Sequence, residues 1–201
     1  MKNNTCVDIF IASSSEKLSV ALKIAEYFDR AARLADKTGL VSATTWMTYF
    51  ENAGGEYCWE TVCTAVNKFD YAIFLLGKDD EAEVRGEKYQ ITRDNVLIEA
   101  GAFMSNLPQQ HVRCFYAKGV RMPSDFLGIN HTEFSFNKRA FTKHDEKVLD
   151  NLFESCKKLA TEKEALSDKD RDRGFILSKN NFIASEDDAK IYKTGKDAFK
   201  D

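Results

Sequence analysis

The chain has 201 residues, of which 43% are hydrophobic and 30% charged, with a formal net charge of −3. That suffices for one ordinary domain with a substantial core and some extra chain at one end. The mild acidity excludes the broad basic field that nucleic acid or an anionic membrane requires of a partner. No apolar run is long enough to span a bilayer, and residues 1–5 lead into a strand without a signal-peptide core. Five cysteines, an odd count with no Cys-x-x-Cys pair, read as free thiols of a reducing cytosol rather than a zinc site or a disulfide framework. The expected location is cytoplasmic.

In chain order, residues 7–12 form a first strand, apolar apart from Asp8. Ser13-Ser14-Ser15-Glu16 follows, and then a helix in which Leu18, Ala21, Ile24, Ala25, Phe28 and Ala32 recur at three- and four-residue spacing. The helix is expected to reach about residue 37, with Gly39 as its stop. The three serines read in two ways: an N-cap turn with surface hydroxyls, or a phosphate cradle at a helix N-terminus. Residues 41–47 read as a second strand with Trp46 near its end, and 50–56 as a loop containing Gly54-Gly55. A helix from about 57 to 67 is expected to bury Trp59, Val62, Cys63 and Val66. Trp46 and Phe50 are either core residues or a stacking wall beside a ligand.

Residues 71–77 are apolar without alternation, as in a strand of a parallel sheet covered on both faces. The charged run 78–88 reads as a solvated connection, or as a flap over a cleft that lets Arg85 and Arg93 meet a pyrophosphate. The stretch 92–103 is the centre of the pattern. Thr92 or Asp94 can cap a helix in which Glu99 is surrounded by Val96, Leu97, Ile98, Ala100 and Phe103. An acid in such a run needs a partner or a water-filled cleft. Asn95, four residues earlier, shares its face. Such a helix, following a buried strand, lies near the strand's C-terminal end, where open α/β sheets bind ligands.

Asn106-Leu107-Pro108 is a stop, 112–117 a fourth strand, 120–129 a turn-rich segment and 132–136 a short edge strand. From 142 to 166, Val148, Leu149, Leu152, Phe153, Cys156 and Leu159 fall on one stripe of a long amphipathic helix. Beyond residue 167 the chain is charged. The pattern predicts an α/β flavodoxin-like three-layer sandwich with a central parallel sheet and a C-terminal helical extension. The expected division is 1–137 for a nucleotide-binding domain, 138–166 for a helix packed on it, and 167–201 for a charged tail or connection.

Four segments together resemble one family: Asp8-Ile9-Phe10-Ile11-Ala12-Ser13-Ser14-Ser15; residues 69–76 followed by Asp79-Asp80; Arg93-Asp94-Asn95-Val96-Leu97-Ile98-Glu99-Ala100-Gly101; and Met122-Pro123-Ser124-Asp125-Phe126-Leu127-Gly128. The family is the bacterial TIR-like domain that includes effectors of cyclic-nucleotide antiphage systems, some fused to a STING-like sensor. The resemblance covers roughly residues 5–137.

What it implies is cleavage of NAD⁺ to nicotinamide and ADP-ribose or a cyclic ADP-ribose, with NAD⁺ as substrate and with no cofactor or metal. Glu99 matches the catalytic glutamate. A carboxylate beside the ribose can stabilise, or briefly bond to, the oxocarbenium-like cation that forms as nicotinamide departs. Nicotinamide leaves as a neutral base, so one acid is enough. The residues expected around the substrate are Ser13, Ser14, Ser15, Trp46, Phe50, Asp79, Arg85, Arg93 and Asn95. Asn95 stands where many TIR NADases carry tryptophan, which suits the effector subgroup. The implied partners are other copies of the chain, through TIR self-association, and a cyclic-nucleotide sensor in a separate protein or in a region outside this chain. Two other classes fit a glutamate on this sandwich: a nucleoside deoxyribosyltransferase-like enzyme and a non-catalytic TIR interaction module.

Overall fold

The computed structural model describes residues 6–35, 40–52, 54, 59–124, 126 and 130–165. Strands β1 (Val7–Ser13), β2 (Val41–Thr45), β3 (Tyr71–Leu76), β6 (Val112–Tyr116) and β7 (His131–Glu133) form one sheet in the order β2-β1-β3-β6-β7. Every neighbouring pair in it is parallel. This is the flavodoxin-like strand order, in which the chain leaves β1 in one direction and β3 in the other. The expected α/β sandwich is therefore the observed one.

Alternation along the strands separates two cores. Ile9 and Ile11 of β1 face α1 (Leu18–Leu34) and α5 (Lys143–Ala165), packing with Ile24, Phe28, Leu149 and Phe153. Phe10 and Ala12 face the other layer, made of α2 (Trp46–Asn52), α3 (Trp59–Val66) and α4 (Asp94–Asn106). All six residues of β3 are buried, as a strand covered on both faces must be. Phe103 of α4 stacks on Phe10 at 4.9 Å and meets Phe74 edge-on at 5.6 Å. Those two contacts seat α4 over β1 and β3.

At the sheet's N-terminal edge Lys163 Nζ lies 2.6 Å from Asp70 Oδ2 and donates to the Cys6 carbonyl at 2.8 Å. The start of α5 is a reciprocal capping box: Thr142 Oγ1 accepts from the Asp145 N–H, and Asp145 Oδ2 accepts from the Thr142 N–H.

Several elements differ from their sequence expectations. The charged run after β3 is an antiparallel hairpin, β4 (Asp80–Val84) and β5 (Glu87–Ile91). Its two-residue turn, Arg85-Gly86, has φ of 57° and 82°, as a type I′ hairpin turn requires. Half-buried Ala82 and Val84 alternate with exposed Glu81 and Glu83, a period-two signal hidden by the charge. Strand β2 ends at Thr45, short of the expected end at 47. Thr45 Oγ1 accepts the Thr48 N–H at 3.4 Å and opens α2, which takes the last two residues of the expected strand and the first three of the expected loop. Helix α1 ends at Leu34, short of residue 37, and Gly39 lies outside the described residues. Helix α3 buries Val62, Ala65 and Val66, while Trp59 and Cys63 are exposed at the flank of that stripe. Its expected start near residue 57, Gly55, most of the 125–129 turn and the tail 167–201 also lie outside the described residues. Among the described residues, four cysteines are free, no helix is long and apolar enough to cross a membrane, and no group of three or more His, Cys, Asp or Glu could hold a metal ion.

Candidate active site

Strands β1, β2 and β3 end side by side, and the segments that leave them form a cleft of about 250 Å³. Its wall comprises Ser13, Ser14 and Ser15 after β1, Trp46 after β2, and Arg93, Asn95, Val96 and Glu99 at the start of α4. Glu99 and six of the nine residues expected around a substrate are thus gathered in one place, from three separate parts of the chain.

Glu99 is 5% exposed. Helix periodicity explains its position: Val96, Ala100 and Phe103 point into the core, and Glu99 shares the adjoining face with Asn95, one turn nearer the cleft mouth. Its carboxylate is therefore shielded from bulk water yet borders a hollow. Asn95 is exposed, and its N–H is held by the Asp94 carboxylate at 2.9 Å. The capping expected of Thr92 or Asp94 is not seen: Arg93 is the residue before the helix and makes no side-chain cap.

The aromatic wall is Trp46. Its indole N–H donates to Ser13 Oγ at 3.1 Å, which pins the ring against the end of β1. Phe50, the other expected stacking residue, is 4% exposed and belongs to the core. One turn along α2 from Trp46, it faces the sheet rather than the cleft, with ring centroids 6.4 Å apart.

Asp79 does not line the cleft either. Its side chain is wholly buried, and Oδ1 accepts from Ser14 Oγ at 2.9 Å and from Lys17 Nζ at 3.0 Å. Oδ2 lies 3.5 Å from Thr92 Oγ1. A charge so deep is tolerable only with such partners. Asp79 ties the turn after β1 to the residue that leads into α4, and so acts behind the cleft wall. From sequence Lys17 carries no signal and Thr92 only that of a candidate cap. Only the sixty-odd residues that separate Lys17 from Asp79 in sequence, closed by the β1–β3 pairing, reveal the contact.

Arg93 is on the wall but not idle. Nη2 lies 3.2 Å from Glu16 Oε1, and Nε lies 2.8 Å from Asp80 Oδ2. The second is an ion contact off the N–H axis, which leaves Nε without a directed hydrogen bond. Arg85 is in the turn of the β4–β5 hairpin, exposed and outside the cleft wall. The hairpin itself is tethered, since its Gln90 carbonyl accepts the Arg121 N–H at 2.8 Å and Arg121 lies 4.4 Å over the Tyr89 ring.

Comparison with known proteins places the chain in a family. A family model described as "CAP12/Pycsar effector protein, TIR domain" matches residues 8–136. CD-NTase-associated protein 12 of Flavobacterium daejeonense is 29% identical over 160 residues, covering 80% of this chain and 47% of the relative. The protein of the same name from Lachnospiraceae bacterium (strain RUG226) is 28% identical over 127 residues, or 63% of this chain and 37% of the relative. The Pycsar effector protein BcPycTIR of Burkholderia cepacia is 23% identical over 141 residues, or 68% and 43%. The chain spans less than half the length of these relatives. The matched span starts in β1 and ends just past β7, taking in the whole sheet and every residue of the cleft wall, and on that match the chain belongs to the family of CAP12/Pycsar effector TIR domains.

Proposed function

We infer that the cleft is the active site of an NAD⁺ glycohydrolase, which releases nicotinamide and leaves ADP-ribose or a cyclised form. The observation that carries this reading is a nearly buried carboxylate, Glu99, on the wall of a hollow built from three strand ends. In it, the ribose of NAD⁺ lies against Glu99. As the bond to nicotinamide lengthens, positive charge grows on the sugar, and the fixed carboxylate stabilises it where water is sparse. Trp46, held by Ser13, offers a flat face to the nicotinamide ring. Asn95 and the serine hydroxyls supply hydrogen bonds to the sugar.

The hollow of about 250 Å³ is smaller than the ~300–1,000 Å³ of most ligand pockets. It therefore takes the nicotinamide–ribose end, and the adenosine end extends beyond it. A neighbouring copy that covers this extension would make turnover depend on assembly. For Arg93 to meet the pyrophosphate it must exchange Glu16 or Asp80 for a phosphate oxygen, and both acids are partly exposed and able to move. The relatives' names, CD-NTase-associated protein and Pycsar effector, support placing this chemistry in cyclic-nucleotide antiphage defence, with a sensor acting on the assembly.

The test is incubation of the chain with NAD⁺, dilute and under crowding, with mass analysis of the products. Release of nicotinamide that rises with self-association and vanishes in Glu99→Gln supports the reading. Full activity in that variant overturns the assignment of Glu99. Base exchange on a deoxynucleoside without NAD⁺ cleavage would instead indicate a deoxyribosyltransferase.

A further inference from the structure

A second cleft, of about 470 Å³, lies on the opposite layer of the sandwich, between α1 and the segment that leads into α5. It shares no residue with the candidate active site. On a chain of net charge −3, its wall carries four cations, Lys23, Arg30, Arg33 and Arg139, against two acids, Glu26 and Glu146.

Three features separate it from an ordinary charged surface. First, among the described residues the guanidinium groups of Arg30, Arg33 and Arg139 enter no ion pair, unlike Arg93, Lys17, Lys157 and Lys163 elsewhere. The wall's two acids offset only part of their charge, and a concave wall concentrates the net positive field. Second, the walls are braced. Lys23 Nζ donates to the Arg139 carbonyl at 2.6 Å, bridging the two sides. Tyr27 donates its hydroxyl to Asp150, fixing α1 against α5. Third, Arg30 is held by a ring rather than by a carboxylate: its Cζ lies 5.4 Å over Tyr27, which also meets Phe141 edge-on at 6.1 Å. A guanidinium positioned through its face keeps its N–H edge free to bind an anion.

We propose that this cleft binds the phosphoryl group of a small phosphorylated ligand, with Arg30, Arg33 and Arg139 as the anion-binding residues. Guanidinium forks match phosphate oxygens in pairs, and the volume is that of a small-molecule site. Lys23, committed to the Arg139 carbonyl, holds the rim and is not counted among the ligand contacts. The assignment is independent of NAD⁺ turnover at Glu99.

Titration of isotope-labelled chain with inorganic pyrophosphate, followed by amide chemical shifts, tests it. Saturable shifts are expected at residues 23–33 and 139–146. The affinity is expected to fall at least tenfold in Arg30→Gln/Arg33→Gln, with an unchanged unfolding midpoint because both side chains are exposed. Arg139→Gln alone, on the other wall, is expected to weaken binding severalfold. Shifts confined to residues 13–15 and 93–99, shifts that never saturate, or equal affinity in the wild type and the double variant would overturn the proposal.

Discussion

Lys17 and Asp79 meet across a 3.0 Å ion pair whose carboxylate is wholly buried while the ammonium keeps a narrow opening to solvent. The pair joins the turn after β1 to the turn after β3, the two segments that flank the candidate active site. Removal of one partner leaves a buried charge uncompensated, which typically costs about 3–5 kcal/mol. Lys17→Met is therefore expected to lower stability toward the bottom of that range, since Ser14 and Thr92 still face the carboxylate. Urea unfolding measures it, and a loss below about 1 kcal/mol would show that the pair is not a structural hub.

Gly77 makes space for that pair. A Cβ at this position would lie 2.5 Å from Lys17 Cε and 2.9 Å from Asp79 Oδ1. Gly77→Ala is expected to displace the lysine and cost about 1–3 kcal/mol. Because both changes act through the same contact, Gly77→Ala combined with Lys17→Met should cost clearly less than the sum of the two. Strict additivity in a double-mutant cycle would refute the coupling.

Gly101 presents the opposite case. It sits in α4 and has nothing within 4 Å of an added Cβ. Alanine should favour the helix by about 1 kcal/mol, so Gly101→Ala is expected to raise the unfolding midpoint of the isolated chain. If activity falls at the same time, the glycine serves a contact made outside this chain. If stability falls, the packing described for α4 is in error.

For turnover, Glu99→Gln is expected to reduce kcat about 10²–10³-fold, the usual cost of removing one electrostatic stabiliser from a transition state. Trp46→Ala should act mainly on KM, raising it about tenfold, in keeping with stacking worth ~1–3 kcal/mol per base. Phe50→Leu, a core change, should alter stability and leave KM alone. A KM effect from Phe50 equal to that of Trp46 would contradict the division of roles between the two rings.

Asp145 provides a pH-dependent element far from this chemistry. Burial opposes its charge, but hydrogen bonds from the side chains and backbone of Ser135 and Thr142 outweigh that and hold its carboxyl below the ordinary carboxylate value. A depressed folded pKa contributes stability that is present above the unfolded value of about 4 and lost as the pH falls through the folded one. Thermal unfolding of the wild type and Asp145→Asn should thus differ by a constant amount from pH 7 to about 5, and converge only in stronger acid. Convergence already near neutral pH would exclude this role.

Much of this molecule was legible from residue order. Apolar runs located β1, β3 and β6, because a strand buried on both faces has to be apolar, as β3 is throughout. The more polar β2 and the edge strand β7 were placed only approximately, at 41–47 and 132–136. Helical spacing located α1, α4 and α5. The acid at 99 was conspicuous because hydrocarbon surrounds it, and family motifs supplied its expected chemistry.

What residue order could not decide was which polar groups meet. Ser14, Lys17, Asp79 and Thr92 converge only because parallel pairing of β1 with β3 brings their following turns together. Trp46 and Phe50 share one face of the α2 helix opened by Thr45. Trp46 sits at the end of β2 where the cleft opens, and Phe50, one turn further on, is covered by the core. The β4–β5 hairpin escaped notice because charge dominates its composition, whereas its alternation and its Arg85-Gly86 turn become meaningful only once two strands pair. Local periodicity records what each segment buries. The partners of buried charges are set by distances between segments remote in the chain, and those exist only after the sheet has assembled.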